Sequence, residues 1–314
     1  MSARVTADHF KGIEGKFTPD APLGAQSWFR CGGNADLLFQ PKDIDDLSSF
    51  LKQLPDDAPL HIVGGMANMI IRDGGLRGVT VQLGKAFAKI DTLGDNTVQA
   101  ECGALNGSVA AACVKAGIGG LEFLSGIPGS LGGAARMNAG AYGAEMKDVL
   151  LGLNIINREG EVKRISRDDL IMSYRHTDIA KGEIVLSALM RGVAEDYDTV
   201  KGRMNEIKSK RNETQPIREQ TGGSTYANPS AAELRKAGLA EGTRAWQIVE
   251  KVGGRGLTIG GAQMSEKHCN FMINKGGATA HDLEFLGDEI RKRALHDLGV
   301  NLRWEIKRIG EHKA

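Results

Sequence analysis

The 314 residues carry 40 Lys plus Arg against 39 Asp plus Glu, a formal net charge of +1, with 41% hydrophobic and 25% charged residues. That balance is ordinary for a soluble, well-cored chain of about two domains. It argues against a nucleic-acid partner, because such binders concentrate positive charge. The opening stretch MSARVTADHFKGIEGKF lacks the apolar centre of a signal peptide. No apolar run approaches the ~20 residues of a membrane-spanning helix, so a cytoplasmic protein without a membrane partner is expected. Cys31, Cys102, Cys113 and Cys269 are scattered with no C-x-x-C pair, which points to reduced, mostly buried thiols and no metal centre.

In chain order, PKDIDDLSSFLKQL (41–54) predicts a helix with Pro41 in its first turn and Ile44, Leu47, Leu51 and Leu54 on its apolar face. LHIVGG and GVTVQL, short β-branched runs closed by glycine, predict strands. LNGSVAAACVKAG (105–117) predicts a helix ended by Gly117, and VLLGLNIINREGEVKRIS two strands about the REGE turn, with EIVLSALMRG another strand. The charged helix DYDTVKGRMNEIKSKRNE marks a boundary between two domains. Beyond it AWQIVEKVG predicts a helix and CNFMIN a strand. In TAHDLEFLGDEIRKRALHDLG, Thr279 and Asp282 form a capping box and Gly299 stands at the C-terminal cap. VNLRWEIKRIG closes the chain as a final strand. Strands mixed with helices, without a βαβ rhythm, predict an α+β fold.

Three stretches point to chemistry. VGGMANMIIRDGG (63–75) and GLEFLSGIPGSLGGAARMNAGAYGAE (120–145), the second read as one long loop, spend glycine beyond what packing requires. Glycine lets a backbone approach a ligand and turn its N–H groups inward on a pyrophosphate. Neither loop is a Walker motif or a G-x-G-x-x-G opening a helix, and a pair of tight turns is the plain structural alternative. In EQTGGSTYANPS (219–230), Ser224 follows two glycines with no histidine, lysine or aspartate beside it to act as a base.

From WFRCGGNADLLFQPKDIDDL to LRWEIKRIG the chain resembles the UDP-N-acetylenolpyruvoylglucosamine reductases. The most specific segments are GLEFLSGIPGSLGGAARMNAGAYG, SYRHTDI, TQPIREQTGGSTYANP, IGGAQMSEKHCNF and WEIKRIG, in this order. The resemblance implies a two-subdomain FAD-binding fold of the vanillyl-alcohol-oxidase type plus an α/β substrate-binding domain. FAD binding is expected over 1–195 (subdomains about 20–85 and 86–195), rejoined by 299–314, with the linker helix and substrate domain at 196–298. FAD would be held non-covalently by Gly64, Gly65, Met66, Ala67, Asn68, Ser125, Gly126, Ile127, Pro128, Gly129, Ser130, Gly132, Gly133, Asn138, Gly140 and Ala141.

It further implies that a hydride passes from NADPH to FAD and then to C3 of an enolpyruvyl UDP-sugar, in a monomeric enzyme. Arg175 would bind the carboxylate or enolate oxygens, Glu305 would stand near the same carboxylate, and Ser224 would give a proton to C2. Tyr174, Lys267 and Asn270 are the expected substrate contacts, and His268 has no assigned role. A nucleophilic serine needs a base nearby, whereas one that donates a proton to a carbanion-like carbon does not. Taken singly, Ser224 reads as a turn serine, Arg175 as a surface arginine and Glu305 as the polar face of a strand; their joint order carries the assignment.

The chain departs from the family pattern at Met66-Ala67, where glycine-serine is common, and at Ala227, where lysine is usual. The first crowds the approach of the cofactor; the second removes a cationic contact to an anionic substrate. SYRHTDIAKGEIVLSALMRG passes directly into a strand, as in the shorter-loop branch. Two other readings stay open on sequence: an oxidase of the same fold with another substrate, and a non-catalytic flavin or sugar-nucleotide binder.

Overall fold

The computed structural model describes residues 5–313; the first four residues of the N-terminal reading and the last residue lie outside them. The architecture is α+β, in two compact units that interleave along the chain. The first comprises residues up to Ala21, Ala35–Gly65 and Gly78–Arg211; the second comprises Pro22–Asn34, Met66–Arg77 and the chain from Asn212.

In the first unit, one sheet runs in the order Lys16–Ala21, Ala35–Gln40, Leu76–Gln82 (in this unit from Gly78 onward), Leu60–Val63, its last pair parallel. The other is antiparallel, in the order Val162–Ser166, Leu150–Ile156, Ile184–Arg191, Thr97–Glu101, Ile90–Thr92. Leu153, Ile155, Ile156 and Ala188 are buried in two of its three inner strands. They join Phe39, Phe50, Val79, Val109 and Leu131 in one continuous core. Burial of such side chains contributes ~1.5–3 kcal/mol each.

The helix expected from Pro41 runs instead over Ile44–Gln53. Asp43 takes the N-cap and accepts the Asp46 N–H at 2.9 Å, so Pro41 precedes the cap rather than filling the first turn. An aspartate that satisfies an orphan donor starts a helix more firmly than a proline two residues upstream. The 120–145 stretch is not one loop. It contains a 3-10 turn at Glu122–Gly126, a helix at Leu131–Arg136 and a tight hairpin of Gly140–Ala141 against Ala144–Glu145. Leu131, Ala134 and Ala135 form a buried stripe that outweighs the weak helical preference of Gly132 and Gly133.

In the second unit, Gln220–Thr221, Met272–Asn274, Ala262–Met264 and Thr258–Ile259 form an antiparallel sheet. The Ala280–Leu298 helix buries Leu283, Leu286, Ile290 and Ala294, one stripe at helical spacing. The Thr279–Asp282 capping box forms as expected, and Gly299 closes the helix at φ +65°. CNFMIN is shorter as a strand, Met272–Asn274, because Phe271 N–H turns back onto the His268 carbonyl. An unforeseen helix, Ala231–Lys236, starts at a Ser230–Glu233 capping box, a signal present in SAAE.

The expected closing strand is split. Trp304 bridges Tyr226 in antiparallel fashion, and only Lys307–Ile309 forms a strand, parallel to Met69–Ile71. All four cysteines are free, and burial first of all pushes the Cys31, Cys102 and Cys113 thiols up to about 12. Among the described residues no helix is long and apolar enough to cross a membrane, and no group of His, Cys, Asp or Glu could hold a metal ion.

Candidate active site

Within the first unit the two glycine segments meet. A Cβ on Gly64 would collide with Ser130 Oγ, and one on Gly65 would stand 3.1 Å from Gly129 Cα. The loop over Ile127–Ser130 is held from behind by Asn106, which sequence reasoning missed. Its backbone N–H donates to Gly129 O at 3.1 Å and its amide Nδ2 to Ile127 O at 3.3 Å. Asn106 is only 1% exposed, and its Oδ1, like Ser125 Oγ, is buried without a partner. The signal was an asparagine at the start of a helix whose other positions, up to Lys115, are apolar or small.

Arg175 is placed by a tight hairpin. Met172–Ser173 pairs with His176–Thr177, leaving Tyr174 and Arg175 as the two turn residues. Arg175 takes φ +57°, a left-handed conformation that favours glycine or asparagine. Its guanidinium lies 4.9 Å from the Tyr174 ring centroid, and Nη2 donates to Gly140 O at 3.2 Å. The hairpin is laced to the glycine segment at two more points: Thr177 Oγ1 donates to Ala135 O at 2.6 Å, and Asn138 Nδ2 to Ser173 O at 3.0 Å. Asn138 also donates to Glu145 Oε2 and accepts from Lys147 N–H. Fully buried at φ +40°, it acts as a brace between the two hairpins.

In the second unit Ser224 and Glu305 are brought onto neighbouring segments. Glu305 N–H donates to Thr225 O at 2.8 Å, and Ala227 N–H to Arg303 O at 2.9 Å. Asn68 lies on the other side of Glu305, donating Nδ2 to Glu305 O at 3.3 Å while its own carbonyl accepts the Lys307 N–H. The two glycines before Ser224 are there for space: a Cβ on Gly222 would meet Phe29 Cε2 at 2.7 Å, and one on Gly223 would meet Asn68 Oδ1 at 3.0 Å. Asn68 Oδ1 and Thr225 Oγ1 are buried without partners, and such groups in a native core call for a ligand or ordered water.

Asn270 holds the backbone beside Ser224. Its Oδ1 accepts the Tyr226 N–H at 3.0 Å and its Nδ2 donates to Tyr226 O at 2.9 Å. The Lys267 ammonium donates to the Asn212 carbonyl. His268 packs edge-on against Phe271, with ring centroids 4.9 Å apart, and burial lowers its pKa from the ordinary histidine value. Ala227 is buried.

Met66 is both strained and buried, with φ +47° and 6% exposure. The left-handed conformation costs ~1–2 kcal/mol, whereas deleting a buried methionine side chain costs ~2–5 kcal/mol. The cavity outweighs the relief of strain, so Met66→Gly is expected to lower the melting temperature. A rise on thermal unfolding would reverse that order.

Comparison with known proteins adds the chemistry. Residues 35–166 match the model of an FAD binding domain, and residues 215–309 match that of the UDP-N-acetylenolpyruvoylglucosamine reductase C-terminal domain. The UDP-N-acetylenolpyruvoylglucosamine reductase of Gluconobacter oxydans is 46% identical over 96% of this chain and 94% of its own length. The chain belongs to the UDP-N-acetylenolpyruvoylglucosamine reductase family. The reductase of Paramagnetospirillum magneticum, also 46% identical, covers 99% of this chain and 98% of its own. The crystal structure of the reductase from Thermus caldophilus superposes with a TM-score of 0.76 at 26% identity, over 94% of this chain and 99% of that one. Membership makes the protein an FAD oxidoreductase, with a flavin domain of the vanillyl-alcohol-oxidase type joined to the reductase family's C-terminal domain.

The residues present fit that cofactor. The backbones at Gly64–Gly65 and Gly129–Ser130 approach closely with only the small Ser130 side chain against Gly64, and the unpaired Ser125 hydroxyl offers a hydrogen bond. A pyrophosphate is bound best by such closely approaching N–H groups and hydroxyls.

Proposed function

We propose that the protein reduces the enolpyruvyl ether of UDP-N-acetylglucosamine to UDP-N-acetylmuramate, a step of peptidoglycan-precursor synthesis, with NADPH as co-substrate. On this reading it is a cytoplasmic monomer whose partner is the UDP-sugar, with neither nucleic acid nor membrane bound. FAD sits non-covalently in the region 1–195 and 299–314, and the region 196–298 takes the substrate. The observation that carries the reading is the pairing that puts Ser224 and Glu305 on adjacent hydrogen-bonded segments.

FAD, when bound, supplies the hydride that reaches C3 of the enolpyruvyl group. The protein's residues manage the charge and the proton. As negative charge develops at C2 and spreads into the carboxylate, the Arg175 guanidinium neutralises it; a guanidinium keeps its charge at any working pH and binds two oxygens at once. Ser224 Oγ–H gives its proton to C2, and the resulting alkoxide recovers one from solvent. Glu305 borders the same carboxylate. Tyr174 and Lys267 contact the substrate, and Asn270 supports Tyr226 next to the donor.

An absorbance spectrum tests this directly. The isolated protein is expected to be yellow, to lose its visible flavin band when NADPH is added without oxygen, and to regain it on addition of the enolpyruvyl UDP-sugar. A band that NADPH bleaches and the sugar nucleotide fails to restore would overturn the assignment. Oxygen consumption with a small alcohol would move it to an oxidase.

A further inference from the structure

The Ala280–Leu298 helix has a glycine in its interior, Gly287, where alanine would be more favourable by ~1 kcal/mol. The reason lies in the closing segment. A Cβ on Gly287 would collide with Cη2 and Cζ2 at the benzo edge of Trp304. The same helical turn holds the indole by its other end, where Nε1 donates to Asp288 Oδ1 at 2.9 Å. The Arg308 guanidinium lies over the ring, 4.4 Å from its centroid. Tyr226 is fixed to this turn as well: its hydroxyl donates to Gly287 O at 2.6 Å, and its ring lies 5.7 Å from that of Trp304. Tyr226 and Trp304 are also bridged through their backbones. One precedes Glu305 directly, and the other follows Ser224 by two positions.

We infer that Gly287 and Trp304 form a notch-and-key pair that positions Ser224 and Glu305 for proton delivery. Neither residue touches the reacting atoms. Each sets the backbone from which a reacting group projects, and a shift of about 1 Å in such a group is enough to cost ~100-fold. The inference rests on the role proposed for Ser224, so the experiment measures Ser224→Ala in parallel.

The variants are Gly287→Ala, Trp304→Phe and the double variant, each assayed as FAD-loaded protein. The two halves of the cycle are followed separately by stopped-flow absorbance, and FAD affinity by fluorescence titration. Gly287→Ala fills the notch and is expected to slow the sugar-nucleotide half about 10- to 100-fold, with the NADPH half and FAD affinity unchanged. Phenylalanine lacks the benzo edge that occupies the notch, so the double variant is expected to be faster than Gly287→Ala alone. Generic destabilisation would make it slower than either single variant, and that result overturns the inference, as would an equal loss in both halves. If Gly287→Ala does not fold, a folded double variant supports the pairing, and a double variant that also fails to fold overturns it. Should Ser224→Ala slow the sugar-nucleotide half while Gly287→Ala leaves it intact, the positioning role falls and the proton-donor role stands. Should Ser224→Ala be without effect, both fall together.

Discussion

Replacing Ser224 by alanine is expected to slow the sugar-nucleotide half of the cycle by about 100- to 10,000-fold, the usual worth of a positioned proton donor. The NADPH half should keep its wild-type rate, because the role proposed for the serine is proton delivery to the substrate carbon and has no part in reducing the flavin. The substitution is structurally mild. Ser224 is half-buried on a backbone held by neighbours on either side, through Gly223 against Asn68 and through Thr225 against Asn270 and Glu305. Alanine therefore removes one oxygen without moving the chain. Stopped-flow measurement of each half separates the outcomes: equal loss in both would show that the hydroxyl supports folding or cofactor binding rather than proton transfer.

For Arg175 the expected result is a divergence between activity and stability. Both Arg175→Gly and Arg175→Ala should lose about 100- to 1,000-fold in turnover, the cost of deleting one fixed donor to a developing oxyanion. Their stabilities should differ. Glycine at φ +57° is released from ~1–2 kcal/mol of strain, which offsets the hydrogen bond to Gly140 and the contact with Tyr174 that the arginine made. Alanine loses those contacts and keeps the strain. The glycine variant should thus melt near the wild-type temperature and the alanine variant below it. A glycine variant as active as wild type, or an alanine variant that melts higher, would contradict the role of the turn.

Much of this is legible in the sequence, and the exceptions share a cause. The Ala280–Leu298 helix was readable because its apolar stripe, capping box and terminal glycine all lie within one stretch. The closing segment was not, because alternation in VNLRWEIKRIG says nothing about partners: Trp304 pairs with Tyr226 and Lys307 with Met69, in opposite directions. The short helix at Leu131–Arg136 was hidden by its glycines, whose cost is repaid only by a buried stripe that a linear reading underweights. At the site, the catalytic candidates came from ordered motifs shared with a family. The residues that support them did not. Asn106, Gly287 and the indole of Trp304 act through neighbours distant in sequence, and such contacts leave no local pattern.

The interleaving of the second unit bears on how the protein is made. The hydrogen bond from Asn68 to Glu305 joins positions 237 residues apart, and the parallel strands Met69–Ile71 and Lys307–Ile309 close the same span. Long-range parallel pairing is slow to form. During synthesis, Phe29 and Ile70, which belong to that unit's core, leave the ribosome well before the segments that cover them. The nascent chain therefore exposes apolar surface until Lys307–Ile309 has been translated, a window in which a holdase chaperone would find its target.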